Sequence, residues 1–157
     1  MTLYEELKWR GLIYQETDDS LKEKLNNEEL TFYIGTDPTA DSLHVGHLMA
    51  NLVAKRLENH GHKPILVIGG GTGLIGDPSG KKEERILNPQ ETVKKWGLLF
   101  KKQIEKLLDL KRKNNPALIA DNYNWLASIK AIDFLRHIGK HFTIPYMLAK
   151  DAVKMRL

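Results

Sequence analysis

Pro64-Ile65-Leu66-Val67-Ile68-Gly69-Gly70-Gly71 is an apolar run that breaks abruptly into glycine. A half-buried strand alternates apolar and polar residues. A continuous apolar run instead reads as a strand buried on both faces, the kind found in parallel sheets covered by helices. Upstream, Leu48, Met49, Leu52, Val53 and Leu57 recur at helical spacing from Gly46, and Gly61 stops them. Ahead of that helix, Leu30-Thr31-Phe32-Tyr33-Ile34-Gly35 is rich in β-branched and aromatic residues and predicts another strand. Downstream, Asn88-Pro89 reads as an N-cap and an N1 proline, opening a helix to Leu108. Ala117-Leu118-Ile119-Ala120 is a third buried strand ending at Asp121-Asn122. Strands alternating with helices predict an α/β fold: a Rossmann-like parallel sheet with flanking helices.

Residues 1–28 read as an N-terminal helical segment with breaks at Gly11 and at Asp18-Asp19-Ser20, where Asp19 or Ser20 caps the second helix. Residues 29–157 carry the half-sheet. A helix around Ile132 to Ile138 and another from Tyr146 to Leu157 follow the third strand. The last is helical in pattern to its end, with no C-cap glycine, so the sequence reads as a fragment stopping inside an element.

Bulk properties narrow the class. The chain has 157 residues, of which 41% are hydrophobic and 28% charged, suiting one domain with a real core. No apolar run approaches the ~20 residues of a membrane span, and Met1-Thr2-Leu3-Tyr4-Glu5-Glu6 has no signal-peptide character, so a cytoplasmic protein with no membrane association is expected. With no cysteine there is no disulfide framework and no thiolate chemistry. A net charge of +4 is compatible with a polyanionic partner without specifying one.

Ligands of such sheets bind at the carboxyl ends of the strands. Three unusual loops lie there. The first runs from Tyr33 through Gly35, Asp37, Thr39, His44 and Gly46 to His47. Two histidines flank a glycine at a helix N-terminus, where backbone N–H groups and the helix dipole favour anions. Gly46 lets a flat ligand approach, and His44, His47 and Thr39 can donate to phosphate oxygens. This is a phosphate or nucleotide cradle, so residues 29–157 read as a nucleotide-binding half-sheet.

The second loop, Gly69 to Lys82, contains Gly71 to Gly76 in the spacing of the dinucleotide fingerprint. That reading fails. Asp77-Pro78 and Gly80 interrupt the helix it should open, no acidic residue of a second strand follows at ~20 positions, and Asp77 would repel pyrophosphate. Ile75 stands where a Walker A loop needs its first glycine. A carboxylate amid glycines suits an ammonium group better. Lys81, Lys82 and Arg85 follow on a strip able to clamp a polyphosphate, although with Glu83 and Glu84 it also reads as a solvated charge run. The third loop, Asp121-Asn122-Tyr123-Asn124-Trp125, offers polar and aromatic groups to the same crevice, or is a turn with a packed tryptophan. His44/His47 and His60/His62 lack the i, i+4 spacing of a helical zinc motif.

His44-Val45-Gly46-His47 resembles the "HIGH" signature of class I aminoacyl-tRNA synthetases. Asp37-Pro38-Thr39-Ala40-Asp41-Ser42-Leu43 in front of it is similar to the tyrosyl enzymes of bacterial type. Gly73-Leu74-Ile75-Gly76-Asp77-Pro78-Ser79-Gly80-Lys81 looks like their second signature, and Gly139-Lys140-His141-Phe142 with Met147-Leu148-Ala149-Lys150 continues the match. The resemblance covers essentially the whole chain, as the N-terminal part of a class I catalytic domain. The tryptophanyl enzymes share the fold with differently reading loops.

What the resemblance implies is specific. The family activates tyrosine with ATP, aided by Mg²⁺, and transfers it to its tRNA, tRNA(Tyr). Tyr33 would meet the substrate phenol and Asp77 its ammonium. Thr39 and His44 would contact the γ-phosphate and His47 the ribose end of ATP. Asp37 and Gly35 would line the pocket, with Asn122 among the substrate-binding residues. Lys81 and Arg85 would grip pyrophosphate in the transition state. Ile34 departs from the family, where many members carry a small or polar residue near the ribose. A later tyrosine-binding helix, the "KMSKS" loop and the anticodon-binding region do not occur in this sequence; Lys154-Met155-Arg156 is not that loop. A chain lacking them is expected to be inactive alone. The family's homodimer uses part of the last region, which leaves dimerisation of this chain open. A non-catalytic nucleotide- or RNA-binding module on the same half-sheet is the competing reading, and a nicotinamide dehydrogenase falls with the fingerprint.

Overall fold

The computed structural model describes residues 1–76 and 87–154, excepting the Ala152 side chain. Asp77, Lys81 and Arg85 lie outside the described residues, as do Met155, Arg156 and Leu157.

Helix α1 (Leu3–Trp9) is capped by Thr2, whose hydroxyl accepts the Glu5 N–H while the Glu5 carboxylate accepts the Thr2 N–H. Helix α2 (Leu21–Asn27) follows Ser20, which occupies the N-cap position without a side-chain cap bond. The Asp18 carboxylate accepts the Ser20 N–H instead, so the expected capping role moves two residues upstream.

The sheet holds β1 (Thr31–Thr36), β2 (Lys63–Ile68) and β3 (Leu118–Asp121), all parallel, in the order β1-β2-β3. Helix α3 (Val45–Asn59) links the first two strands, and α5 (Gln90–Ile104) lies between the last two, after the short α4 (Thr72–Ile75). Tyr33 pairs with Ile65 and Ile34 with Leu66. Alternation therefore places Phe32, Ile34, Pro64, Leu66 and Ile68 on one face and Tyr33, Gly35, Ile65 and Val67 on the other.

Both α3 and α5 pack on the first of those faces. Ala54, Leu66, Ile104, Leu108 and Ala117 form its buried cluster, with Phe32, Ile34 and Leu43 against it. Each large apolar side chain withdrawn from water there contributes about 1.5–3 kcal/mol. The opposite face is open: Tyr33 is 75% and Leu118 45% exposed. This corrects the expectation of strands buried on both sides. In β2 only Pro64, Leu66 and Ile68 are buried, because both connecting helices cover a single face.

Three boundaries also shift. Pro89, not Asn88, is the N-cap of α5, which ends at Ile104 and continues to Leu108 only as turns. After α6 (Tyr123–Leu126), α7 (Ala131–His137) and a 3-10 turn (Gly139–His141), the expected final helix is divided into α8 (Ile144–Leu148) and α9 (Asp151–Lys154). Thr143 caps α8 and Pro145 occupies its first turn, a start signal three residues ahead of the one read from apolar spacing.

Candidate active site

The carboxyl ends of β1, β2 and β3 bring three loops together. The first is anchored by the Gln103 side chain of α5, which accepts the Leu43 N–H at 3.2 Å. It delivers His44 to the N-cap of α3. His44 Nδ1 accepts the Gly46 N–H at 3.1 Å, and His47 Nδ1 accepts the His44 N–H at 3.2 Å. The two imidazoles lie with centroids 3.9 Å apart, and His47 rests on Phe100. A ring nitrogen that accepts a backbone N–H carries no proton, so each neutral imidazole holds its proton on Nε2. Burial, with His44 as a second cause, lowers the His47 pKa and favours that neutral form.

The cap revises the reason for Gly46. A Cβ there would meet the His44 ring at 3.0 Å, so the glycine makes room for the histidine itself. The Gly46 N–H is spent on that ring, and the N-terminus offers His44 Nε2–H in its stead.

The second loop folds tightly against the first. A Cβ on Gly69 would fall 1.8 Å from Asp37 Oδ1, and one on Gly70 2.2 Å from Asp121 Oδ1. A side chain at either position would have to push aside the carboxylate that closes over the tip of β2. The Thr72 hydroxyl donates to Asp37 Oδ1 at 2.6 Å and accepts from Asn122 Nδ2 at 3.0 Å. Asn122 Oδ1 accepts the Gly71 N–H at 2.7 Å. Of the fingerprint-spaced glycines, Gly71 gives its N–H to Asn122 and Gly73 leaves room for Pro38, and α4, which they open, is only four residues long. Thr72 escaped notice in the sequence because a threonine among glycines carries no signal of its partners.

Of the residues singled out from sequence, Asp37, His44, His47 and Asn122 sit on these three tips, with Thr39 exposed in the first loop. Tyr33 and Gly35 point from β1 onto the open face, and nothing lies within 4 Å of a Cβ built on Gly35. Ile34 turns the other way, into the core. Beside the tips, Gly70, Gln90, Lys94, Asp121, Tyr123 and Asn124 line a cavity of ≈ 280 Å³. A larger cleft of ≈ 570 Å³ lies between α1 and α3, lined by Glu6, Arg10, Met49, Leu52 and Arg56 among others, away from this chemistry.

Residues 25–157 match the family described as tRNA synthetases class I (W and Y). The chain belongs to that family. This synthetase chain is 52% identical over 158 residues to the tyrosine–tRNA ligase of Geobacillus stearothermophilus, covering 100% of itself and 38% of that protein. It is 52% identical over 155 residues to tyrosine–tRNA ligase 2 of Enterococcus faecalis, covering 98% of itself and 37% of the relative. Its fold is similar to a C-terminally truncated mitochondrial tyrosyl-tRNA synthetase of Aspergillus nidulans, with TM-score 0.82 and 27% identity over 99% of this chain and 47% of that one. The Coccidioides posadasii counterpart matches with TM-score 0.76 and 25% identity over 99% and 45% of the two chains. The synthetase chain thus spans 38% of the length of the first of these curated relatives.

Proposed function

We propose that the protein carrying this chain is a tyrosine–tRNA ligase, activating L-tyrosine with ATP to tyrosyl-adenylate and passing it to tRNA(Tyr). The observation that carries the reading is the reciprocal histidine cap of α3, which spends both Nδ1 atoms on backbone N–H groups and leaves two Nε2–H donors uncommitted at the carboxyl ends of the strands. The names of the relatives supply the amino acid.

The chemistry suits such a site. Tyrosine's carboxylate is itself the nucleophile, so no general base is needed. The work is to hold it in line with the α-phosphorus and to stabilise charge building on the leaving pyrophosphate. His44 and Thr39 donate to the γ-phosphate and His47 to the ribose end of ATP. Tyr33 pairs with the phenol oxygen, a contact that phenylalanine leaves unmade. Asp37 and Gly35 line the pocket and Asn122 borders it. Asp77 pairs with the ammonium, and Lys81 and Arg85 grip pyrophosphate; all three belong to the segment outside the described residues. Magnesium belongs to this proposal as the companion of ATP's phosphates.

Residues 1–28 form the helical segment and 29–157 the nucleotide-binding part of this reading. A homodimer through the exposed apolar residues of α7 and α8, Ile132, Leu135 and Ile144 among them, belongs to the same proposal. So does a cytoplasmic location; among the described residues no helix is long and apolar enough to cross a membrane.

The test is ATP–pyrophosphate exchange by the full-length protein. Exchange that depends on tyrosine and ignores tryptophan supports the reading; exchange driven by tryptophan, or none, overturns it. The 157 residues alone are expected to exchange poorly or not at all, since the relatives are far longer.

A further inference from the structure

We infer that the outward side of α3 seats a helix from the part of the polypeptide downstream of residue 157, apolar along one side and acidic at its margins. The inference goes beyond tyrosine activation and needs only that the protein share the length of its relatives.

Helix α3 is patterned in reverse. Asn51, Ala54 and Glu58 are buried, and His47, on the same side at helical spacing, rests on Phe100. Val45, Leu48, Met49 and Leu52, spaced i, i+3, i+4 and i+7, occupy the opposite side and are between 41% and 74% exposed. The inward polar groups are provided for: Asn51 Nδ2 donates to the His47 carbonyl at 2.8 Å, and Lys55 pairs with Glu58. A surface helix buries its apolar stripe and exposes its polar one. Leu48, Met49 and Leu52, which mark the helix in the sequence, instead mark the side that the sheet leaves bare.

A groove runs along each flank of this stripe. Leu12, Met49, Leu52 and Val53 line the ≈ 570 Å³ cleft against α1. Leu43, Val45, Leu48 and Leu107 line another of ≈ 460 Å³ beside the turns after α5, and His44 borders it. Ridges of a partner helix laid along the stripe fit such grooves. The rim is cationic: Arg10, Lys55, Arg56 and Lys106 stand against one lining carboxylate, Glu6. Arg10 and Arg56 share that carboxylate, and among the described residues Lys106 forms no ion pair. Carboxylates flanking the apolar side of the seated helix match this rim.

The relatives point to the source of that helix. The chain spans 38% of the Geobacillus stearothermophilus ligase, so a protein of that length holds most of its residues elsewhere. A segment of the same polypeptide is tethered to the stripe at an effective concentration on the order of millimolar. A second copy has its own surface on α7 and α8.

Photocrosslinking of the full-length protein carrying Met49→p-benzoylphenylalanine tests this. The expected product keeps monomer mass and joins residue 49 to an acidic, helically patterned peptide downstream of residue 157. A product of twice that mass, a product joined to RNA or to another protein, a crosslink within residues 1–157, or no crosslink would each overturn the inference. Thiol alkylation of the native full-length protein is the second readout. Cysteine in Leu52→Cys is expected to react at least about tenfold more slowly than cysteine in Lys102→Cys, on the exposed side of α5, because it is reached only by local opening. Equal rates would also sink the idea. Neither readout involves a substrate, so failure of tyrosine-dependent exchange overturns the proposed function and leaves this inference standing.

Discussion

At the base of the sheet Glu58 is 1% exposed, with Oε2 on Lys55 Nζ at 2.6 Å and Oε1 on the Asp109 N–H at 2.9 Å. Arg112 donates to the Glu58 carbonyl, Asn115 to the Gly61 carbonyl and to Glu29, and His62 Nδ1 accepts the Leu30 N–H. At the tips, His44 and Thr39 are exposed, and on the open face of the sheet Tyr33 is 75% exposed. Both ends are polar, and both bridge distant parts of the chain. The base turns most of its polar groups on one another, so they act as fasteners for strand starts and helix ends; His62 Nε2 is the exception there, buried without a hydrogen-bond partner. The tips keep donors in reserve: a histidine that spends Nδ1 on the backbone still has Nε2–H to offer. Buried polar groups cost free energy unless they are paired. The unspent donors at the tips therefore cost least where water, or a ligand in its place, reaches them.

That contrast predicts rate effects at one end and stability effects at the other. The largest belongs to His44→Ala in the full-length protein. Removing one donor to developing phosphate charge is expected to lower the adenylation rate by about 10²–10³-fold, with a much smaller change in ATP affinity. Equal losses in rate and affinity, from single-turnover kinetics and ATP titration, would reduce His44 to a ground-state contact. The accompanying loss of a helix cap should cost about 1 kcal/mol or less.

Glu58→Ala should show the opposite profile. It strands Lys55 and the Asp109 N–H and opens a cavity, lowering stability by about 2–3 kcal/mol in urea unfolding, the partly solvated lysine keeping the loss moderate. The kcat of the folded fraction should be unaffected. A rate loss in protein of normal stability would mean that base and tips are coupled.

The smallest effect is a pH dependence at His62. It is 1% exposed, and burial holds its pKa below the ordinary 6.5. The unfolded chain therefore binds a proton more readily than the folded one as pH falls below about 6.5. Stability is fully present above that value and declines from there toward the lowered folded pKa, with a slope of at most about 1.4 kcal/mol per pH unit. His62→Gln, compared by thermal melts between neutral and mildly acidic pH, should flatten that part of the profile. An unchanged slope would assign the dependence to another group.

Much of this molecule is local information. Apolar spacing, Gly61 and the Pro64–Ile68 run specify strand, helix and strand in order, since period and punctuation act within a few residues. The histidine pair at a helix start is legible the same way, although its rings cap that start rather than leaving its backbone N–H groups to an anion. Other features depend on the packed fold. That β2 is covered on one face follows from α3 and α5 lying on the same side. That Gly69 clears space for Asp37, and that Thr72 meets Asp37 and Asn122, follow from parallel strands ending side by side. Glu58 meets Asp109 across 51 residues for the same reason. A residue's own conformational preferences carry no record of such partners: the contact exists only once the sheet has brought the distant segments together.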